Sequence, residues 1–288
     1  MLDRFEQWER RRNLAPNTVR DRHNRLGQLH DFAGVDLLDI TPENIEQWLD
    51  SLPIVPASRS VYIRAINAFY TFCVREGFLL SNPVDRVTRP RVPRRLPRPV
   101  PGDDVAMLMR QAAHDPRLQV MLALASYAGL RRAEIAALQT DEVDMRARAI
   151  VVVGGKGDKD RRLPMHDEVE RTLRCLPLPD HGFVLTKVRG HGGLTPGSVG
   201  TYLSRHLRAC GVRSVPHKLR HFFVTEVHEK SGGDLRVAQE AAGHASPSTT
   251  AIYAAHSTQR LEIAVRAVGA TGCGGCPIDG EVCPVGKV

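Results

Sequence analysis

The sequence predicts a mainly α-helical protein with one small β-hairpin, arranged as a helical front module and a larger second domain of mixed α+β character. Three observations lead there. Apolar residues recur at helical spacing from Pro16 to Gly77, prolines and arginines alternate from Asn82 to Pro101, and the β-branched run Ala149-Ile150-Val151-Val152-Val153 interrupts an otherwise helical second half.

The opening Met1-Leu2-Asp3-Arg4 begins an amphipathic stretch and not a signal peptide. Pro16 suits the first turn of a helix whose apolar face carries Val19, Leu26, Leu29 and Phe32. Thr41-Pro42 marks a second start, with Ile45, Trp48 and Leu49 on the inner face. A third helix carries Val61, Ala65, Phe69, Phe72 and Cys73, and Gly77 caps its end. Residues 1–85 are assigned to this helical module.

Beyond it, Pro83, Pro90, Pro93, Pro97, Pro99 and Pro101 exclude regular helix, so 86–101 read as an interdomain linker. Its arginines, Arg86, Arg89, Arg91, Arg94, Arg95 and Arg98, either track a phosphate backbone or keep a solvated spacer extended by mutual repulsion. The second domain, 102–268, opens with a helix start at Asp103-Asp104 and continues through the apolar stretch Val120 to Ala128, which reads as a buried helix. The β-branched run, the turn Gly154-Gly155-Lys156-Gly157-Asp158 and the return from Arg161 to Met165 describe the hairpin. Helices are expected to resume after His166 and continue to about Val268. The Cys- and Gly-rich tail, 269–288, is expected to lack regular order.

A length of 288 residues with 42% hydrophobic content allows each domain its own core and excludes a disordered or fibrous chain. A formal net charge of +8 and a pI near 9.5 point to a polyanionic partner, although a membrane surface would answer to the same charge. No apolar run approaches the roughly 18 residues that span a bilayer, so no membrane association is expected and the cytoplasm is the expected location. Cys73, Cys175 and Cys210 are scattered through helical segments and read as small core residues rather than a disulfide framework. Cys273, Cys276 and Cys283 have the character of zinc ligands but lack a fourth nearby, so a tail with free thiols competes with a metal site.

Four short motifs offer chemistry. Gly129-Leu130-Arg131 places an arginine after a helix break, with Glu134 one turn later on the same face; a surface ion pair is the plain alternative. His217 and Arg220 stand three apart, so on a helix both project toward a common point and can share one anion, or simply form a polar face. Gly243-His244 ahead of Ser246-Pro247 looks like one helix ending and another beginning, which holds His244 in a tight turn. Tyr253 follows nine residues later, and a lone tyrosine is more often a core residue with a wet hydroxyl.

Taken in order, these elements resemble the tyrosine recombinases of the phage integrase type, whose signature runs arginine, hairpin lysine, His-x-x-Arg, His or Trp, and tyrosine. Gly129-Leu130-Arg131 with Glu134 is similar to the first arginine box, Gly155-Lys156-Gly157-Asp158-Lys159-Asp160-Arg161 to the lysine hairpin, and His217-Lys218-Leu219-Arg220-His221 with Gly243-His244 through Tyr253 to the second box. Lys159 lies close to Lys156, and the match to Gly-Lys-Gly selects Lys156. The front module resembles the family's core-binding domain, and the two-domain layout is similar to that of recombinases that resolve chromosome dimers. The tail cysteines have no counterpart in the pattern.

The resemblance implies a fold with a helical core-binding domain and a mixed α+β catalytic domain, and a site-specific recombinase with Arg131, Lys156, His217, Arg220, His244 and Tyr253 as catalytic residues. The residue types suit the reaction. Arg131 and Arg220 present bidentate donors to a phosphate and stay charged, so neither a metal nor another cofactor is expected. Lys156 is implied as general acid to the leaving oxygen, His217 accepts the tyrosine proton, His244 donates to a phosphate oxygen, and Glu134 buttresses the arginines. Attack by Tyr253 leaves a 3′-phosphotyrosyl link whose retained ester energy permits rejoining without ATP or magnesium. The implied partners are double-stranded DNA and further copies of the chain, a tetramer on two DNA sites, with or without a second recombinase. Leu261, Ala264, Val265 and Val268 would form the helix exchanged between protomers, or one that caps its own domain. A non-catalytic DNA-binding clamp of the same fold and a type IB-like topoisomerase are the alternatives.

Overall fold

A computed structural model of the chain describes residues 1–92, 98–153, 160–187 and 191–243, and the chain divides into two units, Met1–Arg95 and Leu96–Val288. The front unit holds α1 (Leu2–Arg11), α2 (Pro16–Ala33), α3 (Pro42–Ser51) and α4 (Pro56–Arg75). Prolines at the first turn open the last three, and the Thr41 hydroxyl accepts from the Asn44 amide while the Asn44 side chain accepts from Thr41 N–H, a reciprocal cap. Phe5 of α1 packs edge-on against Phe69 of α4, and Leu26, Leu29, Ile45, Trp48 and Tyr70 complete a buried core around them. The Tyr70 hydroxyl donates to the Leu37 carbonyl, so its burial leaves no orphan.

Two expected core positions differ. Val61 is 39% exposed, because the inner stripe of α4 runs through Ile63, Ile66, Phe69 and Cys73, and Val61 lies about 140° around the helix from Ile66. Phe32 stands in the last turn of α2 and is 46% exposed. The proline-rich stretch also starts with a turn of 3-10 helix, Pro83–Arg86, capped by the Asn82 side chain, and Val84 and Val87 are buried in the front core. The front packing therefore reaches past the boundary expected at residue 85.

In the second unit, α5 (Gly102–Gln111) precedes α6 (Pro116–Ser126), which starts at an Asp115 cap and is buried from Gln119 to Ser126. This is the central helix that the apolar stretch announced. After Gly129 the chain enters α7 (Arg132–Ala137), then a three-stranded antiparallel sheet in the order β1 (Val143–Asp144), β2 (Ala149–Val152), β3 (Arg161–Pro164). Ile150 pairs with Leu163 and both point into the core, so the expected hairpin strands are present, while the turn bearing Lys156 lies outside the described residues. β1 was not anticipated, since two residues carry no readable period.

Helix does not resume without interruption. After α8 (Asp167–Arg174), residues Cys175 to Lys187 are non-helical and form isolated bridges, Gln139 with Phe183 and Thr186 with Gly193. The fold then closes with α9 (Pro196–Ala209), α10 (His217–Lys230) and α11 (Leu235–Ala242), which ends at Gly243 in the left-handed conformation. α10 packs on both α6 and α11, and α7 packs on α9. No helix among the described residues is long and apolar enough to cross a membrane. The tail, with Cys273, Cys276 and Cys283, and the helix expected around Leu261 to Val268 lie outside the described residues.

Gly129 is the tightest point of this packing: its φ is +61°, and a methyl group there would sit 2.2 Å from Cδ1 of Phe223. Gly129→Ala is expected to cost about 2 kcal/mol or more, read as a lower melting temperature. An unchanged melting temperature would contradict this packing.

Candidate active site

The site is built from the turn at Gly129. That turn carries buried Leu130 into the core and leaves Arg131 as the residue just before α7, with Glu134 in its first turn. The Glu134 carboxylate folds back to accept from Arg131 N–H at 2.8 Å and from Arg131 Nη1 at 2.6 Å. Arg161, the first residue of β3, reaches the same carboxylate in a bidentate pair, Nη1 to Oε1 at 3.0 Å and Nη2 to Oε2 at 2.7 Å. Four hydrogen bonds thus fill the roughly four acceptor sites of one carboxylate. Arg220 Nη1 from α10 lies 3.9 Å from Oε2.

The end of α11 and the Gly129 turn supply the remaining acceptors. Arg131 Nη2 donates to the Gly243 carbonyl at 3.0 Å, and Arg220 donates through Nη2 to the Ala242 carbonyl and through Nη1 to the Gly129 carbonyl. A helix C-terminus presents unpaired carbonyls and a partial negative charge, which suits two guanidiniums. Gly243 makes this possible by its φ of +57° and by its lack of a side chain, since a Cβ would fall 2.9 Å from Cδ of Arg161. Arg220 is 3% exposed, and its direction is fixed by main-chain oxygens of two separate elements.

Electrostatics follow from this crowding. Burial pushes the Glu134 carboxyl up from 4.5, but the bonds and charges of Arg161 and Arg131 outweigh it and draw the value down to about 2. Glu134 is therefore a fixed negative charge at any working pH. His217, one turn before Arg220 on α10, packs edge-on against His221 with ring centroids 4.6 Å apart. Partial burial of its ring, then the charges of Arg220, Arg131, Arg132 and Lys218, hold its pKa below the ordinary histidine value. The neutral form of His217 is therefore favoured more than in an ordinary histidine.

Of the six residues expected to act, the structure brings Arg131, His217 and Arg220 to one place. Lys156, His244 and Tyr253 lie outside the described residues, Lys156 between β2 and β3 and His244 directly after Gly243. Arg161 was read only as part of the hairpin. A signal for it exists in the sequence: Arg161 and Leu163 share a strand face, and an arginine on the face that buries a leucine requires a buried anion. Among the described residues no group of three or more His, Cys, Asp or Glu side chains is placed to hold a metal.

Three arginines gathered around one carboxylate, on a helical domain with one small sheet, set the character of this half of the chain, and comparison with known proteins identifies its class. Residues 100–260 match the phage integrase family. The tyrosine recombinase XerC of Shewanella oneidensis is 32% identical over 278 residues, covering 90% of each chain, and that of Myxococcus xanthus is 31% identical over 91% of this chain and 95% of its own. In fold, the chain is similar to the XerA recombinase, with a TM-score of 0.53 at 25% identity over 93% of this chain and 97% of that one. It is also similar to a lambda integrase dimer bound to a core site, with a TM-score of 0.69 at 21% identity over 86% and 95%. The chain belongs to the phage integrase family and is a tyrosine-type site-specific recombinase, an enzyme of DNA strand breakage and rejoining.

A carboxyl whose pKa is depressed on folding stabilises the folded state above its unfolded value, and that contribution disappears as pH falls through the folded value. Stability of the second unit is therefore expected to decline between about pH 4.5 and about pH 2, and Glu134→Gln should flatten this part of the decline in urea denaturation. The same acid slope in both proteins would contradict the assignment.

Proposed function

We propose that Arg131 and Arg220 clamp the scissile phosphate of duplex DNA while Tyr253 attacks it, forming a 3′-phosphotyrosyl link and releasing a 5′ hydroxyl. The observation that carries this reading is the convergence of the two arginines, from the residue before α7 and from α10, on one carboxylate and one helix end. Guanidiniums so held meet a phosphate without reorganising, which is where most of the acceleration in such sites arises. His217, whose pKa is lowered by desolvation and then by its cationic neighbours, takes the tyrosine proton. Lys156, on the segment after β2, protonates the leaving oxygen, and His244, beside the α11 end, donates to a phosphate oxygen. The clamp itself is made of side chains, so the steps assigned here draw on no metal or nucleotide.

The front unit acts as a core-binding domain of residues 1–85, with 86–101 as linker, 102–268 as catalytic domain and 269–288 as tail. The lambda integrase is seen as a dimer on a core site and as a tetramer on a Holliday junction, which favours four copies of this chain acting on two DNA sites; the compartment proposed for it is the cytoplasm. Integration, excision, transposition and dimer resolution all use this strand chemistry.

Incubation with duplexes from the protein's own genomic neighbourhood, without metal or nucleotide, is expected to yield a covalent protein–DNA adduct that Tyr253→Phe abolishes. Arg220→Ala should slow adduct formation roughly a hundredfold to a thousandfold, the usual cost of losing one transition-state donor. An adduct that persists in Tyr253→Phe would remove the nucleophile assignment.

A further inference from the structure

We infer that Arg161 is a positioning residue whose charge keeps Glu134 from cancelling the cations that face the phosphate. This rests on the clamp assigned to Arg131 and Arg220 above. Glu134 accepts from both the amide and the guanidinium of Arg131, yet a bare carboxylate there would subtract from the field at the neighbouring phosphate. Arg161 resolves the conflict. It binds both Glu134 oxygens and is itself 8% exposed, with Glu134 7% exposed, so its charge is spent on the carboxylate and not on solvent or DNA.

Counting charges shows what this achieves. Arg131, Arg161 and Arg220 around Glu134 leave a net charge of +2. A phosphodiester carries one negative charge and its pentacoordinate transition state two, so the cluster matches the transition state better than the ground state. Without Arg161 the net charge would fall to +1 with every other partner still present. Arg161 also joins β3 to α7 and lies beside Gly243, so it stands where the segment bearing Lys156 enters β3 and next to the residue that precedes His244.

A structural ion pair and a charge-balancing one predict different outcomes when both partners are removed. Arg161→Met should slow formation of the covalent adduct about tenfold to a hundredfold, the range that supporting partners command at metal sites, while DNA affinity at fixed salt stays within about twofold. Adding Glu134→Gln returns the net charge to two cations and should recover most of that loss, although it removes an ion pair and leaves the fold no more stable. A double variant as slow as Arg161→Met, or an Arg161→Met protein at the wild-type rate, would overturn the inference. Should Arg161→Met melt below the assay temperature, the double variant is compared directly with wild type: a rate within about tenfold supports charge balance, and a loss as large as that of Arg220→Ala overturns it. No adduct from the wild-type chain would instead fail the underlying clamp, and the two failures are distinguished by that control.

Discussion

One buried carboxylate organises the catalytic half of this protein. Glu134 accepts four hydrogen bonds from two arginines and lies near a third, and those arginines come from the turn before α7, from β3 and from α10. A charge in this position is costly to bury alone, and a half-satisfied network is worse than an apolar core. Here the acceptors are filled and the donors are shared with the carbonyl ends of α11 and the Gly129 turn. Removing Glu134 alone would leave three guanidiniums without their common anion, so this carboxylate ties the turn before α7 to β3 and α10.

The same constraint explains where glycine is needed. Gly129 and Gly243 both take positive φ, and both offer their carbonyls to a guanidinium at the point where a side chain would collide with a neighbour. Sequence, backbone conformation and site geometry meet at these two positions. The rigid parts of the domain, α6 with α10 and α7 with α9, then hold the arginines from behind, so the phosphate meets a preorganised clamp.

Much of this was legible in the sequence because the relevant spacings are local. Arg131 and Glu134, and His217 and Arg220, stand one helical turn apart, and the helix periods of α2, α3 and α4 were readable from their inner faces. The left-handed cap at Gly243 was also visible as a Gly before a new start signal. What escaped depends on contacts far apart in sequence. The Glu134 to Arg161 pair spans 27 residues and the Arg131 to Gly243 bond 112, and no periodicity encodes either. β1 is too short to have a pattern, and the exposure of Val61 and Phe32 reflects which of several apolar positions the neighbouring helices cover.

The central claim is that Arg131 and Arg220 act by neutralising charge on the non-bridging phosphate oxygens. The most direct measurement compares adduct formation on a duplex whose scissile phosphate carries a neutral methyl group in place of one non-bridging oxygen with that on the ordinary duplex, for wild type and Arg220→Ala. If the arginine neutralises charge, the penalty of the substitution should largely vanish on the methylphosphonate duplex. An equal penalty on both substrates would mean that Arg220 serves the fold or the positioning of its neighbours, and would contradict the account.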